Sequence, residues 1–208
     1  MEYLGVSEYE AFGLDATTQA AWVTAASALI DAYCRRATLG VAQYVERLRL
    51  EPGMNTLRLT YLPLVVETPA ITPIVAARGR YGIPRRGDDA VGELAFDVAQ
   101  MFSLPGTWTD IDVSTIDFFV ETGEISLPLN PLGLWFSELE LTYTAGLDTV
   151  PNAVKVACAQ IVRNAQSTPA LNVRTGRMDR MRLDYFSDSL IDHDVKALLA
   201  PYVAQKVG

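Results

Sequence analysis

The chain has 208 residues, 50% hydrophobic and 20% charged, with a net charge of −8 at neutral pH. That is enough for one sizeable core or two small ones in an ordinary globular protein. No stretch approaches the roughly 20 uninterrupted apolar residues of a membrane helix, and the start, MEYLGVSEYE, is acidic where a secretion signal is basic, so no membrane partner and no export are expected.

A short helical turn is expected near Ser7–Phe12. Trp22, Ala25, Ala26, Leu29, Ile30, Tyr33 and Cys34 then recur at helical spacing, with Asp15 as a candidate N-cap and Gly40 near the end, which predicts a helix over about residues 16–37. Gln43–Leu50 and Thr56–Leu62 each alternate Leu with Arg, and Pro52-Gly53 between them suits the centre of a type II turn. The pair predicts a β-hairpin.

Pro63, Pro69 and Pro73 punctuate the next apolar stretch, as in edge or connecting strands. Residues 79–92, GRYGIPRRGDDAVG, read as a mobile loop. Asp117–Glu121 and Glu124–Leu127 flank Thr122-Gly123, and ELELTY (138–143) alternates cleanly, so the middle of the chain reads as mostly β.

Asp148 or Thr149 caps a second helix with Pro151 in its first turn. Its apolar face is Val154, Ala157, Cys158, Ile161, Val162 and Ala165, and it ends near Ser167-Thr168-Pro169. An arginine-rich link follows, with Arg174, Arg177, Arg180 and Arg182. Val195, Leu198, Leu199, Tyr202 and Val203 then form a short amphipathic helix that Pro201 kinks or stops.

Charge is segregated along the chain. Residues 1–34 carry five acids and no Lys or Arg; residues 35–86 hold nine arginines against three glutamates; residues 87–154 hold twelve acids and no basic residue; residues 155–208 carry eight basic and five acidic side chains. Such blocks are suited to opposed surfaces that meet in an assembly. They equally describe a solvated β region that happens to be acidic.

Few groups suited to bond-breaking chemistry are present. His193 is the sole histidine and lies between Asp192 and Asp194, as a helix-terminus or surface residue would. Cys34 and Cys158 match no metal or redox spacing and fall on apolar helix faces, so they read as small buried thiols in a reducing compartment rather than a disulfide or a nucleophile. The carboxylate pairs Asp88/Asp89 and Asp110/Asp112 lack a calcium-loop pattern, and GRYGIPRRG lacks the context of a phosphate loop. The arginines at 174–182 have no interleaved aromatics to stack on bases. Arg and Met favour interfaces, so this segment reads as protein-docking.

Three stretches carry a resemblance: AAWVTAASALIDAYCRR (20–36), ELELTYTAGLDTVPNAVKVACAQIVRNA (138–165) and LLAPY (198–202), with FFVETGEISLP (118–128) between the first two. Together they resemble the head–tail connector proteins (adaptor or head-completion proteins) of tailed bacteriophages of the long-tailed siphovirus type. The chain is long for that family, and the extra material falls at 75–116.

The resemblance implies a non-enzymatic structural virion protein, without cofactor, metal or catalytic residue, assembled in the host cytoplasm and resident at the head–tail interface. Its partners would be the portal protein, copies of itself in a ring, typically a dodecamer, and a stopper or tail-completion protein, with DNA passing through the lumen without sequence-specific contact. The expected fold is α+β: a helical bundle of N-terminal, central and C-terminal helices with an inserted antiparallel β region. Its parts would be residues 1–40 as N-terminal helical core, 41–147 as β-rich region with acidic loops, 148–167 as core helix and 168–208 as docking arm. Arg174, Arg177, Arg180, Arg182, Leu198, Leu199 and Tyr202 are the expected docking residues, and Asp88, Asp89, Asp110 and Asp112 the channel or inter-subunit acids. The alternatives are another neck or tail protein, a stopper or tail terminator, or a metal-dependent hydrolase using Asp110 or Asp112.

Overall fold

The computed structural model describes residues 1–65, 73–82, 90–104, 106–120, 122–128, 134–167, 175–178, 181–184 and 190–205. The chain divides into two compact units, one of residues 1–40 with 149–203, the other of residues 41–148 with 204–208.

In the first unit, α1 (Ala20–Tyr33) buries Val23, Ala26, Ser27 and Ile30. The helix stops seven residues before Gly40, because Arg35 takes a φ of 56° and Arg36 N–H bonds back to Asp31 O at 3.1 Å, a left-handed cap built without glycine. α3 (Asn152–Ser167) buries Val154, Ala157, Cys158, Ile161, Val162 and Ala165, the face its periodicity predicts, and packs against α1 and α4 (His193–Leu199). Asp192 caps α4 by accepting from Val195 N–H at 2.8 Å, and Pro201 lies in the 3₁₀ turn that follows.

Tyr3 ties the N-terminal segment to α1. Its N–H donates to Ser27 Oγ at 3.2 Å, and its hydroxyl donates to Asp31 and accepts from Leu39 N–H at 2.8 Å. Burial and the Asp31 hydrogen bond push the Tyr3 phenol up to about 12. Cys34 and Cys158 are both buried and free, and burial raises each thiol to about 11.

The second unit holds two antiparallel sheets. One has the order β1-β7-β3-β4, from β1 (Ala42–Arg49), β7 (Phe136–Ala145), β3 (Ile74–Tyr81) and β4 (Trp108–Ile111); the other has the order β2-β6-β5, from β2 (Thr56–Arg58), β6 (Glu124–Ser126) and β5 (Asp117–Phe119). Leu139, Leu141, Tyr143 and Ala145 of β7 alternate inward and meet Tyr44, Leu48, Ile74 and Ala77, with Leu59, Ile116 and Ile125 completing the core. α2 (Ala90–Met101) links β3 to β4 and rests on Leu134 through two alanines, Ala95 and Ala99. Glu46, on the inner side of β1, accepts from Thr60 N–H at 3.1 Å, the Thr60 hydroxyl and Tyr143 OH at 2.7 Å, and Tyr143 OH accepts from Tyr61 N–H at 3.2 Å. A separate hairpin pairs β8 (Thr175–Met178) with β9 (Met181–Asp184).

The expected helical bundle with an inserted β region is overturned. Among the described residues there are four α-helices beside seven strands in two antiparallel sheets, and the dominant packing runs between strands, β3 on β7 and β1 on β7. The inward rows of β1, β3, β6 and β7 bury Tyr44, Leu48, Ile74, Ile125, Leu139, Leu141 and Tyr143 as a core of their own, beside which α2 buries only the small side chains of Ala95 and Ala99.

Three local expectations change with it. The runs 43–50 and 56–62 do not pair as a hairpin: β1 pairs with β7 and β2 with β6. β3, directly after Pro73, is internal rather than an edge, because the proline precedes the ladder and removes no bond within it. The expected loop over 79–92 contains the end of β3 and the start of α2, while 83–89 lie outside the described residues.

Candidate functional site

Antiparallel pairing sends alternate residues to one face, so register decides which charges meet. On the outer face of the larger sheet, Arg49, Glu138, Arg80 and Trp108 form one cross-strand row, and Arg47, Glu140, Arg78 and Asp110 the next. Glu138 is contacted by Arg47, by Arg80 at 3.5 Å and by Arg49 at 3.9 Å, and Glu140 by Arg78 at 2.6 Å. The Arg47 hydrogen bond, aided by the charge of Arg80, holds the Glu138 carboxyl below the usual carboxylate range. The Arg47 and Arg78 guanidinium carbons lie 5.0 and 5.2 Å from the centre of the Trp108 ring, within cation–π range.

One carboxylate shared by three guanidinium groups leaves this end of the face electropositive. Arg49, its side chain 89% exposed, is the cation held most loosely. Such ion pairs are worth little to stability on an exposed sheet. As a fixed lattice of forked donors beside an indole ring, the face is equipped to bind a carboxylate-bearing partner.

Of the predicted site residues that are described, only Asp110 is placed on this face. Arg174, Arg180, Asp88 and Asp89 lie outside the described residues, while Arg177 and Arg182 stand opposite each other in the β8–β9 register. Leu199 is buried within its own unit; Leu198 and Tyr202 are half-buried. Asp110 is exposed opposite Arg78. Asp112 caps the 3₁₀ turn Val113–Thr115, accepting from Ser114 Oγ at 2.8 Å and Ser114 N–H at 3.0 Å, and these bonds hold its carboxyl below the ordinary aspartate range.

His193 is the exposed first residue of α4. Among the described residues no three His, Cys, Asp or Glu side chains converge as a metal donor set, and no helix is long and apolar enough to cross a membrane. Sequence reasoning singled out none of Arg47, Arg49, Arg78, Arg80, Glu138 and Trp108. The available signal was the Leu–Arg alternation of 47–50, which places arginines on one face of a strand but does not name its partner strand.

The chain matches no protein-family model and no curated relative.

Proposed function

We propose that the chain is a structural subunit of a bacteriophage head–tail connector, a ring beneath the portal that continues the DNA channel and offers a surface to a stopper or tail. One observation carries the reading. Three of the segments that resemble the family, far apart in sequence, supply most of α1, most of α3 and the end of α4, and α1 packs on α3 and α3 on α4 within one unit, while 118–128 and 138–148 belong to the sheet unit. A resemblance confined to unrelated surface segments would have no reason to close on a shared core.

The roles follow from chemistry. A closed ring needs two different faces per subunit, one fitting the other. Acid-rich surface toward a lumen repels phosphate and lets DNA slide, whereas basic contacts would retain it. The reading assigns no catalytic residue, and Asp112 has a structural role as a cap. A tail-side neck protein is the second reading, favoured by the sheet-rich core of residues 41–148.

Negative-stain images of the purified chain mixed with portal rings from the same genome test it. An added layer of density on one end of the portal is expected. A chain that leaves portal rings bare, at concentrations where it is itself intact, overturns the proposal.

A further inference from the structure

α2 presents its helical faces the wrong way round for a helix with no further partner. Its small residues, Ala95 and Ala99, are turned onto Leu134, while Leu94 (53% exposed), Met101 (80%) and the adjoining Phe102 (66%) face solvent. Positions 94, 98, 101 and 102 follow the i, i+4, i+7, i+8 spacing of one stripe. The charged residues on this helix are both acids, Glu93 and Asp97, and both are exposed. An exposed contiguous stripe of large apolar side chains marks a contact surface.

The outer face of β1 has the complementary order. Val41, Gln43 and Val45 give way to Arg47 and Arg49, so it runs from apolar to cationic along the strand, and Val45 is 66% exposed. α2 runs from acidic at its start to apolar at its end. Laid antiparallel on β1, it sets Glu93 and Asp97 against the arginines and Met101 and Phe102 against the valines. The acid and apolar centres are ~10 Å apart on the helix at about 1.5 Å per residue, and the arginine and valine centres ~16 Å apart on the strand at about 3.3 Å per residue, a mismatch of ~6 Å within the reach of the exposed Arg49 side chain.

We infer that α2 of one copy docks on the β1 end of the arginine-bearing sheet of a second copy, through an acid-to-arginine and apolar-to-valine match. The two patches are different, so each copy offers one of each and the contact is heterologous, able to propagate from copy to copy. The inference rests on the connector reading only in taking the neighbour to be another copy; it requires no portal.

Sedimentation velocity of the purified full-length chain, alone, provides the test. Wild type is expected to associate with rising concentration. Met101→Ser/Phe102→Ser is expected to shift it to monomer, and Glu93→Arg/Asp97→Arg and Arg47→Glu/Arg49→Glu are each expected to do the same. Mixing the two charge-reversed variants is expected to restore association, because each then meets a complementary face on the other. Circular dichroism of each variant separates misfolding from lost contact. Because Cys34 and Cys158 are buried, a Val45→Cys/Met101→Cys variant gives an independent reading: a disulfide between copies on mild oxidation. A monomer at every concentration, or association that Met101→Ser/Phe102→Ser leaves unchanged, overturns the inference. Association that persists while portal rings stay bare sinks the connector reading alone.

Discussion

Replacing Tyr143 by Phe tests whether the sheet core depends on the Glu46 network. Tyr143 is fully buried, and burial together with the hydrogen bond to Glu46 pushes its phenol far above the ordinary tyrosine value, so the hydroxyl keeps its proton and donates it. Losing the hydroxyl deprives Glu46 of a donor at 2.7 Å and leaves Tyr61 N–H without the acceptor it had at 3.2 Å. A bond to a carboxylate and a bond from a backbone amide, both part-buried, together make the loss about 2–3 kcal/mol. For a chain of this size, about 2–4 °C per kcal/mol converts this to a melting-temperature drop of roughly 5–10 °C. Urea unfolding followed by fluorescence reads it directly, since Trp108 and Trp135 lie in the same unit. Thr60→Val removes another donor to the same carboxylate, so the two substitutions combined should depart from additivity by about 0.5 kcal/mol or more. A loss for Tyr143→Phe under about 0.5 kcal/mol, the range of unremarkable surface changes, would refute the reasoning.

Gly123→Ala should cost about 2–4 kcal/mol in urea unfolding: Gly123 has a φ of 65°, where an L side chain is strained by about 1–2 kcal/mol, and the added methyl would collide with Leu62. Asp192→Ala should lower stability by about 1 kcal/mol through loss of the α4 cap. The Asp192 carboxyl is held low by Val195 N–H and by Asn164, so its contribution is complete above the unfolded aspartate value of about 4 and fades as pH falls through the lower folded value. The wild-type acid limb of a pH–stability curve should therefore be steeper than that of Asp192→Ala. Cys34 and Cys158 should resist a thiol reagent at neutral pH in the folded chain and react together in urea. With folded thiols near 11 against ordinary values near 9, their contribution is complete below about pH 9 and is lost as pH rises toward the folded value.

The helices at 20–33 and 152–167 were legible because each carries its own apolar stripe, a signal contained within two or three turns. The strands of β7 and the β5–β6 turn were legible for the same reason: alternation in ELELTY and a glycine at 123 are local. Partnership was not local. Nothing in Gln43–Leu50 says that its partner is β7 rather than the next run after Pro52-Gly53, and the hairpin reading followed sequence proximity where core burial of Leu48 and Tyr44 against β7 decided the pairing. Glycines and arginines hid the end of β3, yet Gly79 is the position where an added Cβ would strike Phe136, so close packing demanded the residue that disguised the strand. The same limit applied to the arginine face. Arg47, Arg49, Arg78 and Arg80 come from two strands, and only their common neighbour, β7, brings them to Glu138 and Glu140.

The pairing of Ala42 with Ala145 governs how the protein emerges from the ribosome. A strand complete by residue 49 must wait for a partner about 100 residues downstream, and at about 5–20 residues per second that delay is roughly 5–20 s. α1 waits longer still for α3. Throughout that interval the nascent chain carries an unpaired strand and an uncovered helix stripe, the surfaces by which incomplete chains aggregate.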